Sequence, residues 1–293
     1  MPHRLDHSPF LVPPGQQIKL SDYDPRYSAG IKSKKEGRDA LLEDKTDLAE
    51  AQTLLWANAR HSVLIILQAL DAAGKDGAIK HVMSGVNPQG VDVTSFKAPT
   101  TEERLHNFMW RPAQRLPSRG RIAIFNRSYY EEVLIVRVHP SFLDSQFMPS
   151  RLEGASRDEI WRDRYRQING FEKGCADNDI TVNKFFLNVS KEEQRERFIE
   201  RLENPEKNWK FSADDLRERA HWDKYQSAFE DALSATSTEK APWHVIPADR
   251  KWFARAAIAD IITSRIEELD LKAPEVSPEH MEDIKKARTE LGI

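Results

Sequence analysis

Ser-Val-Leu-Ile-Ile-Leu-Gln-Ala-Leu-Asp-Ala-Ala-Gly-Lys-Asp-Gly-Ala-Ile-Lys-His, residues 62 to 81, is the stretch on which the fold turns. Val63 to Leu67 is a short, unbroken apolar run rich in β-branched residues, the pattern of a fully buried strand. Small residues follow it, then Gly74-Lys75, then a helix-like segment from Ala78 to Met83. Strand, tight loop, Gly-Lys and helix in that order form the setting that a phosphate-binding loop requires. Backbone N–H groups of such a loop and of the helix start converge on one spot, where the helix dipole also favours an anion. Gly74 permits close approach of the chain and Lys75 adds a mobile positive charge. Ala73, Gly74, Asp76, Gly77 and Lys80 are expected beside them at the phosphates.

The match to the pattern G-x-x-x-x-G-K-[ST] is incomplete. Ala69 stands where the first Gly belongs, and Asp76 replaces the hydroxyl residue that holds Mg²⁺. A bare Gly-Lys after a strand also suits an ordinary turn. Asp71 bears on that choice: a carboxylate inside an anion-binding loop repels phosphate unless a cation lies between them. Asp71 is therefore a candidate Mg²⁺ ligand, with a turn residue bonding its own backbone as the alternative.

The chain has 293 residues, 31% of them charged and 39% hydrophobic, which allows two domains or one α/β domain with an insertion. A formal net charge of −3 gives no global electrostatic case for nucleic acid as a partner. Cys175 is the one cysteine, so no intrachain disulfide forms, in keeping with a reducing compartment. Residues 1 to 17 lack the apolar core of a signal peptide, and no apolar run approaches the ~20 residues of a membrane helix. No membrane association is expected, and the expected location is cytoplasmic.

Residues 1 to 34, with five prolines before position 30, read as an extended N-terminal arm. Leu41, Leu42, Leu48, Leu54 and Leu55 then fall near helical spacing among charged residues, predicting a long amphipathic helix within 33–60 that packs on the core or on another subunit. Val91 to Lys97 reads as strand, Thr100 to Trp110 as a helix opened by Thr100 and Glu103, and Arg121 to Arg127, with the apolar run Ile122 to Phe125, as a second buried strand. A helix is expected over 129–138, irregular connection over 140–156, helix over 158–177, strand over 181–189 and helix over 191–203. Pro205 breaks that helix, Ser212 with Asp215 restarts one, and helix 221–233, strand 243–247 and an amphipathic helix 252–269 follow. Strands alternating with helices indicate a parallel central sheet covered on both faces, a three-layer α/β/α arrangement, with residues 35–270 as the domain and 271–293 as a peripheral tail.

Between positions 104 and 137 seven arginines (104, 111, 115, 119, 121, 127 and 137) face two acids, Glu131 and Glu132. Guanidinium forks bind phosphate bidentately and stay charged when desolvated, so this density suggests a second, longer anionic substrate; about half of the seven are expected to be solvated or paired. Asn126 ends the second strand where an acid would hold Mg²⁺ through water. The neutral amide still accepts from metal-bound water or binds phosphate, or it caps a helix. Arg197 and Arg201 share a helical face, and Lys207 and Lys210 follow in a loop between helices. Helix, basic tip and helix over about 197–221 suit a lid that closes on phosphates, or a solvated charged hairpin.

Leu70 to Gly77 with Ile79 to Gly90, Ile124 to Val133 with Val136 to Pro140, Asn204 to Phe211, and Ala241 to Trp243 with Trp252-Phe253 resemble the type 2 polyphosphate kinases over roughly residues 35 to 270. The resemblance implies a thymidylate-kinase-like P-loop core with a helical lid that moves a terminal phosphoryl group between inorganic polyphosphate and a nucleotide, with Mg²⁺ or alternatively Mn²⁺. It places Asp71 and Lys75 in the first motif, with Asp71 at the metal, and Asn126 and Arg127 in the second. Arg137, Arg197, Arg201, Lys207 and Lys210 are expected on phosphate, and Asn87, Arg111 and Glu132 on an adenine or guanine nucleotide. Asn126, where other members have Asp, resembles the subgroup (class III) that phosphorylates both AMP and ADP. Similar proteins form dimers or tetramers through helical surfaces, which would give the 33–60 helix a use. Direct in-line transfer is the expected mechanism. The competing readings are transfer through a phosphohistidine at His81 or His139, an ATP-dependent small-molecule kinase on the same fold, and a sensor without turnover.

Overall fold

Five parallel strands build one sheet: β1 (Ser62–Gln68), β2 (Val91–Ser95), β3 (Ile122–Asn126), β4 (Ile180–Asn188) and β5 (Trp243–Pro247), in the spatial order β2-β3-β1-β4-β5. The computed structural model describes residues 5–293, so the first four residues of the expected arm lie outside the described residues. The central strand β1 is buried along its whole length, as its apolar run demands. Its Leu67 pairs with Asn126 of β3 on one side and Phe185 of β4 on the other, so the C-terminal ends of three strands lie side by side. The chain leaves β1 toward the β2 edge and leaves β4 toward the β5 edge, and the diverging connections open a crevice at the ends of these strands.

The helices are α1 (Lys34–Asn58), α2 (Lys75–Val82), α3 (Thr101–Leu105), α4 (Trp110–Ala113), α5 (Ile135–Val138), α6 (Pro140–Asp144), α7 (Arg157–Asp177), α8 (Lys191–Glu203), α9 (Ala213–Arg219), α10 (Trp222–Thr236), α11 (Lys251–Glu267) and α12 (Pro278–Leu291). Alternate strand residues feed two cores. Leu64, Ile66, Phe125 and Phe186 pack with Ile168 of α7 and Phe229 and Leu233 of α10. Val63, Ile65, Ile124 and Phe185 pack with Leu48 and Leu55 of α1, Val82 of α2 and Ile258 and Ile262 of α11. Each such side chain contributes roughly 1.5–3 kcal/mol by leaving water, and both sheet faces are covered, giving the expected three layers.

Residues 10–12 lie against the β5 edge, and the segment around them bonds α10 and α11. Val12 N–H donates to Trp243 O at 2.9 Å, Leu11 bridges His244, and Phe10 and Val12 are fully buried. Covering an edge strand in this way removes a template for unwanted pairing. Helix α1 starts at Ser33, whose hydroxyl accepts the Glu36 N–H, and it buries Leu48 and Leu55 while Leu42 faces solvent.

Several local expectations are corrected. The helix expected over 129–138 is a 3₁₀ turn at Tyr129–Val133 followed by α5. A regular helix splays adjacent side chains roughly 100° apart, yet the hydroxyls of Tyr129 and Tyr130 both donate to Glu172 Oε1 at 2.8 Å, so a tertiary demand overrides local preference. The helix expected over 100–110 divides into α3 and α4, and the 140–156 segment contains α6. Ser212 caps α9 by accepting from Asp214 N–H rather than through Asp215. Helix α11 buries eleven of its seventeen residues, because α1 lies on its outer side as well as the sheet on its inner one. Helix α12 buries none.

One charged group sits in the middle of all this. Lys184 of β4 and Glu172 of α7 are fully buried at 2.6 Å. The ammonium also donates to Tyr130 Oη at 3.0 Å and Thr236 O at 2.6 Å, so its three donors are all used. Breaking such a pair strands a buried charge. Glu172→Leu should lose about 3–5 kcal/mol in urea unfolding, whereas Glu172→Leu with Lys184→Met should recover most of it. A single-variant loss no larger than that of an exposed pair would contradict this account.

Candidate active site

The loop after β1 is held open by its backbone. Ala72 lies at φ 60° and Gly74 at φ 114°, a conformation that L side chains rarely adopt, so glycine is required immediately before Lys75 begins α2. The first turn of α2 leaves its N–H groups without intrahelical acceptors, aimed at the mouth of the crevice. Lys75 is nearly buried and donates to Ala69 O at 2.9 Å and Leu70 O at 3.4 Å. Burial and the neighbouring Arg127 hold its ammonium below the usual lysine range, offset in part by Asp71, Glu131 and Asp76.

The β3 end meets this loop through two contacts fixed by the strand register. Asn126 Nδ2 donates to Asp76 Oδ1 at 2.7 Å, and Arg127 Nη2 donates to Asp71 Oδ1 at 2.6 Å. Arg127 sits at φ 62°, a left-handed conformation worth of order 1–3 kcal/mol of strain, which turns its side chain back toward the loop. Its second partner is Glu131 at 3.8 Å. Burial alone would lower the guanidinium, but Glu131 and Asp71 carry it above its usual value. Glu131 is in turn lifted by burial, against Arg127 and Lys75. Among the described residues no three His, Cys, Asp or Glu side chains form a metal cage. Asp71, Asp76 and the Asn126 carbonyl oxygen supply two carboxylates and one neutral oxygen. That set fits Mg²⁺, which is held by one or two carboxylates plus substrate phosphates.

A cleft of about 690 Å³ opens over the loop. Of the residues singled out in the sequence, Asp71, Ala73, Gly74, Lys75, Asp76, Gly77, Asn126, Arg127, Arg197, Arg201, Lys207 and Lys210 all line it. Nine cationic side chains line the cleft against three acids, Asp71, Asp76 and Glu200. A second cavity of about 370 Å³ shares Phe96, Lys97, Ala98 and Arg127 with the cleft. Phe108, Pro112, Val136 and Phe142 give it apolar walls, and Arg104, Arg111, Glu132 and Gln146 give it polar ones. Arg111 lies 5.3 Å from the Phe96 ring centroid and donates to Lys97 O at 2.9 Å. Glu132 is held by Gln146 Nε2 at 2.8 Å and Arg164 at 3.3 Å.

Four of the expected residues have other contacts or lie outside the cleft. Arg197, expected on phosphate, has every donor engaged: Nε to Glu193, Nη1 to Ala72 O and Ala73 O, and Nη2 to Ala248 O and Asp249 O. It braces the loop from beneath. Arg137 faces away from the cleft and bonds Tyr165 and Asp231, a consequence of the break between the 3₁₀ turn and α5. Lys80 is on the exposed side of α2, outside the cleft. Asn87 caps the 88–90 turn, lining neither cavity. Of the seven clustered arginines only Arg127 reaches the cleft; Arg119 and Arg121 lie at the opposite end of the sheet, bonded to Arg60 O and Gln89 O.

The helices 191–203 and 213–219 and the turn between them stand over the cleft where the lid was expected. Gln194 Nε2 donates to Asp71 O at 2.9 Å and Arg201 pairs with Asp215 at 2.8 Å. Lys207 pairs with Glu200, whereas among the described residues the Lys210 ammonium has only the Trp209 ring, 5.0 Å away. Sequence reasoning missed Lys97, Lys251 and Arg255, all lining the cleft. The spacing of Lys251 and Arg255, one turn apart just after the last parallel strand, was a usable signal, because parallel strands bring all such starts to one end of the sheet.

Comparison with known proteins places this geometry in context. Residues 31–274 match the family model described as Polyphosphate kinase 2. The chain is 46% identical over 282 residues to an ADP-polyphosphate phosphotransferase of Rhodopseudomonas palustris, covering 96% of this chain and 97% of that one. It is 42% identical over 267 residues to an AMP/ADP-polyphosphate phosphotransferase of Meiothermus ruber, covering 91% and 95%. The crystal structure of polyphosphate kinase 2 from Arthrobacter aurescens superposes with a TM-score of 0.82 at 41% identity, over 89% of each chain. With its loop, its strand-end arginine and the helices 191–203 and 213–219 around one cleft, the chain belongs to the polyphosphate kinase 2 family.

Proposed function

We propose that the chain transfers the terminal phosphoryl group of inorganic polyphosphate to AMP or ADP, reversibly and with Mg²⁺. The observation that carries this reading is the meeting of two unlike cavities at Arg127: a strongly cationic cleft for a polyanion, and an apolar-walled space of nucleoside size. Both relatives above bear names that couple polyphosphate to adenine nucleotides, and Asn126 in place of an acid supports use of both AMP and ADP. The nucleoside is assigned to the second cavity beside Phe96 and Arg111, with its phosphate directed at Arg127. The donor chain is assigned to the loop at Gly74 and Lys75. Single buried Cys175, and the lack among the described residues of a helix long and apolar enough to cross a membrane, support a cytoplasmic location. The exposed stretch of α1 around Leu42 supports assembly as a homodimer or homotetramer.

Catalysis on this reading is positioning and charge. Mg²⁺ held by Asp71, Asp76 and Asn126 would supply neutralisation of phosphate oxygens. Lys75 leaves the carbonyls of Ala69 and Leu70 for the donor phosphate. Arg127 exchanges Asp71 for the equatorial oxygens of the transferred group, with Glu131 keeping it oriented. His81 and His139 line neither cavity, and His139 is bonded to Glu218 at 2.8 Å, which supports direct in-line transfer over a phosphohistidine.

Incubation with polyphosphate and AMP, ADP, GMP or GDP, with chromatographic separation of products, tests the reading. ATP should form from AMP and from ADP; transfer from ATP alone, or none from any donor, would overturn it. Asp71→Ala or Lys75→Ala should lower kcat at least ~10²–10³-fold, as loss of a single transition-state donor does. Arg197 acts through the loop. Arg197→Ala should lower kcat by up to about 10²-fold, the scale of an ångström-sized misplacement, while leaving KM for the nucleotide near that of the unaltered enzyme. A rise in nucleotide KM at constant kcat would place Arg197 elsewhere.

A further inference from the structure

The charge around the cleft is not evenly balanced. At its lid end all but one of the cations are paired: Lys207 with Glu200, Arg201 with Asp215, and Lys251 3.9 Å from Glu200, while Lys210 has the Trp209 ring. At its other end they are not. Arg255 of α11 lies directly over α2, where a Cβ at Gly77 would stand 3.3 Å from its Nη2. Its guanidinium has no hydrogen-bond or ion-pair partner among the described residues, and neither has that of Arg38, exposed on α1. The charges acting on Arg255 are those of Arg197 and Arg38. Those acting on His81, one turn and about 6 Å beyond Gly77 on α2, are Arg255, Lys80 and Lys45. No carboxylate is among them, and burial with these cations holds both groups below their usual values. Lys45 of α1 continues the line, its Cε 3.7 Å from the position of a Cβ at Gly85.

We infer that a long polyphosphate chain leaves the cleft past Gly77 and lies along this unbalanced line, over Arg255, Arg38, His81 and Lys45, on a binding track for the part of the donor that does not react. The inference rests on the proposed polyphosphate reading and adds a second region of contact to it. Uncompensated like charges repel one another, and a bound polyanion relieves that repulsion. Regularly spaced phosphate charges are what the half-exposed Arg255 and Lys45 and the exposed Arg38 recognise, with His81 among them and no requirement for shape. The paired lysine and arginine of the lid offer a distal chain less, because each anion there would compete with a carboxylate already in place. Contacts far from the reacting phosphoryl group should strengthen donor binding without changing the chemical step.

The double variant Arg38→Ala/Lys45→Ala tests this, since both residues lie outside the cleft. With long-chain polyphosphate as donor its KM should rise about three- to tenfold, as expected for lost exposed charge interactions, and its salt dependence should flatten. With tripolyphosphate, too short to leave the cleft, kcat and KM should match the unaltered enzyme. Equal changes with both donors, or no change with either, would overturn the track. Absence of any polyphosphate turnover by the unaltered enzyme would instead refute the proposed activity. Equilibrium binding of long-chain polyphosphate to the two proteins then decides the track by itself: weaker binding by the variant supports it, and equal binding rejects it.

Discussion

A loop with two residues in left-handed conformations keeps its shape only if something over-determines it, and here that something is the guanidinium of Arg197. Its contacts with Ala72 and Ala73 fix the loop, those with Ala248 and Asp249 fix the turn after β5, and Glu193 fixes the guanidinium to its own helix. The loop after β1, the turn after β5 and α8 are thereby tied together by one side chain. A buried arginine is affordable there because every N–H has an acceptor and its charge lies beneath a site that binds anions. Lys75 shows the complementary state: its ammonium is parked on loop carbonyls and available to a phosphate, whereas Arg197 is not.

The framework was legible because it is local. The strand patterns placed the strands to within two residues, and the serines at 33, 156 and 190 each cap a helix through the N–H three residues on. The loop residues followed from one continuous motif, and the strand register then carried Asn126 and Arg127 to it. Side-chain direction was less legible wherever it depended on a change of helix type or on a distant partner. Arg137 sits in an arginine-rich stretch, but the turn preceding it is 3₁₀ because two tyrosines converge on Glu172, and the side chain ends up on Tyr165 and Asp231. Arg197 has the spacing of a lid arginine, and nothing in its own helix reveals that four carbonyls from two other segments saturate it. Lys251 and Arg255 lie far along the chain from any motif and become part of the cleft only through the parallel topology.

Arg127 is one of four residues the two cavities share, and its side chain is paired with Asp71. Asp71 and Arg127 neutralise each other at 2.6 Å, so neither is fully available to a ligand while that contact stands. On the proposed reading a cation at Asp71 would release Arg127, and a phosphate at Arg127 would expose Asp71 to a cation. Binding of either therefore favours binding of the other, a coupling that needs no movement of the backbone. Glu131 limits how far the freed guanidinium travels, since it holds a second contact at 3.8 Å on the cavity wall shared with the nucleoside site. The strained backbone at Arg127 points the side chain between the two carboxylates from the start, so the exchange is a change of partner within one small volume. Charge placed in this way suits a phosphoryl group held between two phosphates.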